Sequence, residues 1–179
     1  SVESVSGSAE DLATFNIEDP VLCPRFTGRV IKNVSVGSSP LWMQMRLVLS
    51  GMRPINSVVD VSNYVMLELG TPNHTYDLAL VPNSHIGVRG ASDGEQITTL
   101  DNQERTLVAG DGVIVDESDQ AIGIAGVMGG ASTEISSSTT GVLLELASWH
   151  PESIARTSQR LGLRSEASAR FERGTDWGI

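Results

Sequence analysis

With 179 residues, 12 basic and 22 acidic side chains and a net charge of −10, the chain is long enough to bury one large core or two small fused ones. It is too acidic for an autonomous nucleic-acid binder, whose affinity is dominated by attraction to phosphate. Hydrophobic residues make up 40% of the chain and aromatic ones only 4%, and there are 18 Gly, so aliphatic side chains fill the core of a turn-rich α and β protein rather than a helical bundle.

Residues 1–20 (SVESVSGSAEDLATFNIEDP) are weakly periodic and rich in Ser, Asp and Glu. The reading is a linker or loosely held arm over residues 1–24, with neither the basic start nor the apolar block of a secretory signal. Cys23 stands alone, which excludes an internal disulfide framework and suits a reducing cytosol; one Cys and three scattered His give no zinc-ligand spacing. Arg25–Val36 is strand-like and ends at Gly37. Pro40 opens a helix whose apolar stripe is Leu41, Trp42, Met45, Val48 and Leu49. Ser57, with Asp60 three residues later, reads as the cap of a second helix that runs to Leu69 and closes at Gly70.

From residue 85 to about 130 the texture changes to short strands (HIGVRGA, QITTL, RTLVA, DGVIVDE, QAIGIAGVM) separated by Asp-Gly, Asp-Asn and Ser-Asp steps. That spacing predicts a compact antiparallel sheet region. VLLEL, in the segment Thr140–Leu146, is another strand. A helix over Pro151–Leu161 has Gly162 after its end, and Ser165 caps a short helix ending at Gly174. No apolar run approaches the roughly 20 residues of a membrane helix. The chain stops at Ile179 without a closing element, as an excised piece of a larger protein would.

Three segments carry candidate chemistry. In AGVMGG (Ala125–Gly130) the glycines give either a strand-ending turn or the open wall of a small-ligand pocket. The segment lacks the Lys-Ser/Thr of a Walker loop, and Ile124 breaks the dinucleotide-binding spacing. His74 follows a helix end, in a loop able to return it beside Asn63. Glu145 interrupts an apolar strand. Either Val142, Leu144 and Leu146 face the core and Glu145 faces water, or Glu145 lies in a pocket and must be paired or hydrogen-bonded there. Arg156, Arg160 and Arg164 recur every four residues and form one cationic stripe if the helix continues that far, or simply complement a helix C-terminus.

Together GMRPINSVVDVSNYVMLELGTPNHTYD, AGVMGG and GLRSEASARFERGTD, in this order, resemble the B3/B4 domain of the bacterial phenylalanyl-tRNA synthetase beta subunit, over about residues 25–176. The resemblance implies an α+β fold: a mixed, largely antiparallel sheet with flanking helices over residues 25–179, the turn-rich B4-like part lying at about 85–130. It implies an editing module that hydrolyses tyrosine misattached to phenylalanine tRNA. In that carry-over Glu145 recognises the tyrosyl hydroxyl, and His74 and Asn63 lie beside the ester and its water. Ala125, Gly126, Gly129, Ser165 and Ala167 form the pocket wall. Arg156, Arg160 and Arg164 are candidate tRNA contacts. It further implies a cytoplasmic protein partnered by an alpha subunit and the other beta-subunit domains in a heterotetramer. No metal or cofactor belongs to this segment, since ATP and Mg2+ serve the parent enzyme elsewhere. The rival expectation is a non-catalytic module that docks the tRNA acceptor end or serves as a structural part of the same subunit.

Overall fold

The computed structural model describes residues 8–176. In chain order it contains β1 (Thr14–Ile17), β2 (Arg25–Lys32), α1 (Leu41–Leu49), α2 (Ser57–Leu69), β3 (His74–Asp77), β4 (His85–Gly90), β5 (Gln96–Thr98) and β6 (Glu104–Thr106). These are followed by β7 (Gly112–Val115), β8 (Ala121–Ile124), β9 (Met128–Gly129), β10 (Gly141–Ser148), α3 (Pro151–Leu161) and α4 (Glu166–Phe171). Hydrogen bonding groups the strands into sheets ordered β1-β4-β7-β8-β9, β2-β10-β3 and β5-β6. Every pairing is antiparallel except β1 with β4. The α+β class with flanking helices is therefore as expected.

The larger sheet is built on β7, whose GVIV sequence is buried throughout, as a strand covered on both faces must be. Val88 of β4, Val113 of β7, Ile122 and Ile124 of β8, Leu143 of β10 and Ile154 of α3 belong to one continuous core. The two larger sheets thus share a single apolar interior, with Trp149 and Phe171 closing it beside α3 and α4.

Four local expectations are corrected. Part of the segment read as a loosely held arm is ordered: Thr14–Ile17 pairs in parallel with β4, register Thr14 to His85, and seats Phe15 against Phe26 at 5.3 Å between ring centroids. Residues 1–7 lie outside those described. The cap of α2 is Asn56 rather than Ser57: its Oδ1 accepts from the amides of Val58 and Val59. Asp60 instead turns inward and accepts from the Ile55 amide and the Ser39 hydroxyl. The apolar stripe of α1 faces outward, because α1 buries only Met43 and Leu47, while Leu41, Trp42, Met45, Val48 and Leu49 remain exposed. Finally, α3 stops at Leu161, where Gly162 takes φ +60°, so Arg164 cannot extend a helical stripe from Arg156 and Arg160. Among the described residues no helix is long and apolar enough to cross a membrane.

Candidate functional site

The inward-facing row on β10 is Leu143, Glu145 and Ala147, all buried, while Leu146 is 36% exposed on the other face. This resolves the choice left open by the alternation argument: although Val142 is also covered, Glu145 is on the core side and only 6% exposed. β3 lies alongside in antiparallel register, with His74 directly opposite Glu145 and Tyr76 opposite Leu143. Side chains on one sheet face at directly opposed or diagonal positions are within reach of one another, so His74, Tyr76 and Glu145 converge.

The Tyr76 hydroxyl donates to Oε2 of Glu145, and Tyr76 itself is fully buried. That bond answers the cost of taking a carboxylate out of water. It does not cancel it: burial still pushes the Glu145 carboxyl up to about 7, with the Tyr76 hydrogen bond pulling the other way. Burial, then the neighbouring Glu145 charge, drives the Tyr76 phenol well above its ordinary value, so it stays a donor. Oε1 of Glu145 accepts no hydrogen bond among the described residues and is not fully enclosed.

His74 reaches this place because α2 ends sharply. Gly70 takes φ +82°, a left-handed conformation that costs glycine little. The returning loop is stitched to the helix by Asn73, whose Nδ2 donates to the Ser62 carbonyl at 3.2 Å while its own carbonyl accepts from the Ser62 hydroxyl at 3.4 Å. Asn63 is the next residue on α2, so the loop does bring His74 back beside it. The His74 ring sits edge-on to Tyr76, centroids 4.5 Å apart. Desolvation lowers its pKa to about 4, which leaves a neutral imidazole at physiological pH.

AGVMGG is at once a turn and a wall. Ala125–Val127 reverse the chain between β8 and β9, with the Val127 amide bonded to the Ile124 carbonyl at 3.0 Å and Gly126 at φ +67°. A Cβ on Gly126 would come within 2.7 Å of Ile154 Cδ1, and one on Gly129 within 2.6 Å of His74 Nε2. The second glycine is thus what lets the imidazole lie close against the hairpin. Ser165 caps α4 by accepting from the Ser168 amide, and its hydroxyl donates to the Val127 carbonyl at 2.6 Å. It clasps α4 onto the glycine turn.

These elements enclose a cavity of about 220 Å³ lined by Asn63, His74, Tyr76, Glu145, Gly126, Gly129, Ser165 and Ala167, with Met66, Leu100, Trp149 and Phe171 as its apolar remainder. Seven of the eight expected pocket residues therefore meet in one place. The exception is Ala125, which lies behind the wall, 1% exposed and packed towards Gly112. Sequence reasoning missed Tyr76, Trp149 and Phe171. Tyr76 was findable, since it stands two residues after His74 on the same strand face; the two core aromatics carried no such signal.

The three arginines do not form a set. The Arg160 guanidinium pairs with Asp111 and donates to the Thr106 carbonyl, Arg164 pairs with Glu172 at 2.8 Å, and Arg156 is exposed. A second cavity, lined by Arg164, Ser165, Glu166, Ala169, Arg170 and Arg173, shares Ser165 and Glu166 with the first.

An α+β domain with a buried acid and a neutral imidazole facing one cavity is the class defined by this geometry. The family model of the B3/4 domain matches residues 22–179, and the chain belongs to that family. It is 53% identical over 93% of its length to the phenylalanine–tRNA ligase beta subunit of Geobacter sulfurreducens, and 48% identical over 94% to that of Staphylococcus haemolyticus. It spans about a fifth of the length of these relatives, 21% in each case. Among solved structures, an N-terminal fragment of the phenylalanyl-tRNA synthetase beta subunit from Pyrococcus horikoshii superposes with a TM-score of 0.54 at 12% identity, covering 79% of this chain and 44% of that one. At that identity the likeness is one of fold.

Proposed function

We propose that the chain is the editing module of a phenylalanine–tRNA ligase beta subunit and hydrolyses tyrosine from misacylated phenylalanine tRNA. The observation that carries the reading is Glu145: a carboxylate buried in a largely apolar cavity, with one oxygen held by Tyr76 and the other without a donor. A phenol entering the cavity supplies that donor. A bare phenyl ring leaves the second oxygen desolvated and without a donor, and a site built to accept a hydroxyl rejects the analogue lacking it by as much as ~10⁴–10⁵.

Hydrolysis of the ester needs an oriented water and donors for the developing oxyanion. His74 is neutral and within the cavity wall, so it accepts a hydrogen bond from water; a pKa of about 4 makes it a better orienting group than a proton sink. Asn63 lines the same wall and its side chain holds no hydrogen bond among the described residues, so its carboxamide is available to the water or the ester. The Gly126 amide is likewise unengaged, whereas those of Val127 and Gly130 are tied up in the hairpin. The arginine-lined second cavity, contiguous with the first at Ser165 and Glu166, offers the nucleotide end a route in an otherwise acidic molecule. Arg164, Arg170 and Arg173 replace Arg156 and Arg160 as the residues favoured to meet tRNA.

The test is deacylation of tyrosyl-tRNA by the full-length synthetase. Glu145→Ala and His74→Ala are expected to lower the rate by about 100-fold or more, with phenylalanine charging unchanged. Undiminished deacylation by both variants would overturn the reading in favour of a docking or structural module.

A further inference from the structure

Tyr76 presents to Glu145 the same chemical group as the substrate proposed above. It is fully buried, and the strand register places it diagonally across from the acid on the same sheet face. Its hydroxyl is bonded to Oε2, and its ring lies edge-on to His74 while lining the cavity. No other side chain among the described residues hydrogen-bonds Glu145. We propose that Tyr76 is a positioning residue for substrate recognition: its phenol stays on Oε2 and turns Oε1 towards the incoming tyrosyl hydroxyl, so the site has one vacant acceptor for one substrate donor. The inference rests on the editing reading.

Without the Tyr76 hydroxyl, Glu145 would be a lone carboxyl in that cavity. With both oxygens unpaired, a buried acid escapes its desolvation cost by binding a proton or water. Either outcome blunts discrimination, because a protonated acid no longer demands a donor and a water can stand in for the substrate hydroxyl. One permanent internal donor stabilises the ionised form and fixes the rotamer, leaving a single acceptor that a hydroxylated ring fills and a bare phenyl ring does not. The edge-on contact ties this arrangement to His74, so the recognition end and the ester end of the cavity share one rigid strand. The other titratable groups facing Glu145 are His74 on β3, Cys23 ahead of β2 and Glu166 across the cavity on α4. His74 is neutral above about 4 and burial pushes the Cys23 thiol up to about 12. Glu166 is exposed and paired with Arg170.

The experiment is Tyr76→Phe in the full-length synthetase, followed across pH with tyrosyl-tRNA and phenylalanyl-tRNA. The expected result is a rise of about tenfold in KM for tyrosyl-tRNA at neutral pH, with a smaller change in kcat, and an acid limb in kcat/KM displaced upward by about one unit. A purely structural hydroxyl would lower the rate at every pH without moving that limb. An unmoved limb, or a lower KM showing that Tyr76 competes with the substrate phenol, overturns the inference. Should Tyr76→Phe fail to fold, the hydroxyl proton of Tyr76 is followed by NMR in the unsubstituted protein while a non-hydrolysable tyrosyl-adenosine analogue is added. Persistence of its hydrogen bond supports the inference, and its displacement overturns it. A wild type that neither deacylates nor binds the analogue removes both readings. A wild type whose activity depends on Glu145 but is indifferent to Tyr76→Phe removes this one alone.

Discussion

His74 and Glu145 face each other across two strands, and burial moves them in opposite directions, His74 down to about 4 and Glu145 up to about 7. Both are neutral in the window between, and above about 7 Glu145 becomes the ionised acceptor of the proposed recognition. The consequences for stability oppose one another. Between pH 4 and its ordinary value of 6.5, His74 binds a proton more readily in the unfolded chain, so its contribution to stability is present above that range and lost as the pH falls through it. Glu145 binds a proton more readily in the folded chain between 4.5 and about 7, so its contribution is present at low pH and lost as the pH rises. Each effect is on the order of 3 kcal/mol across its window. The two are expected to offset one another from about pH 4.5 to 6.5. Glu145→Gln should therefore uncover a stability that climbs with pH in this window, and His74→Asn one that declines, read by denaturant unfolding at a series of pH values. Parallel curves for both variants and the wild type would contradict the assignment of the two buried groups.

At the scale of elements, the cavity exists because α3 and α4 are held against the glycine hairpin and β7. Asp111, immediately before β7, is the anchor. Buried at 4% exposure, it accepts from the Thr157 hydroxyl at 2.8 Å, from the Val108 amide at 3.0 Å and from the Arg160 guanidinium. This is why Arg160 is read as a structural residue. Removing Asp111 leaves a hydroxyl, an amide and a half-exposed cation without their partner, and Asp111→Ala is expected to destabilise the fold by about 3 kcal/mol. Arg156→Ala, at an exposed position on the same helix, should stay within about 0.5 kcal/mol. Equal effects of the two in thermal unfolding would mean that α3 is not fastened through Asp111.

Over the whole molecule, legibility followed how local the determining interactions are. Helix ends marked by Gly70 and Gly162, the Ser165 cap and the short strands of the middle region could be read because turn chemistry is written in consecutive residues. Asn63, His74, Glu145 and the glycine hairpin could be grouped only through a family resemblance, since the register that aligns β3 with β10 spans some seventy residues. The outward face of α1 and the inward turn of Glu145 were not legible from periodicity. An alternating pattern says that two faces differ, while tertiary packing decides which is covered. Parallel pairing of β1 likewise depends on β4, far along the chain. The β3–β10 register, the loop returning from α2 and the glycine hairpin converge on one cavity, which makes its occupant the most direct test. A crystal structure of the chain soaked with a non-hydrolysable tyrosyl-adenosine analogue is expected to place the phenol oxygen within hydrogen-bond distance of Oε1 of Glu145, with the ester surrogate beside His74 and Asn63. A phenol directed away from Glu145, or an analogue bound only outside this cavity, would contradict the account.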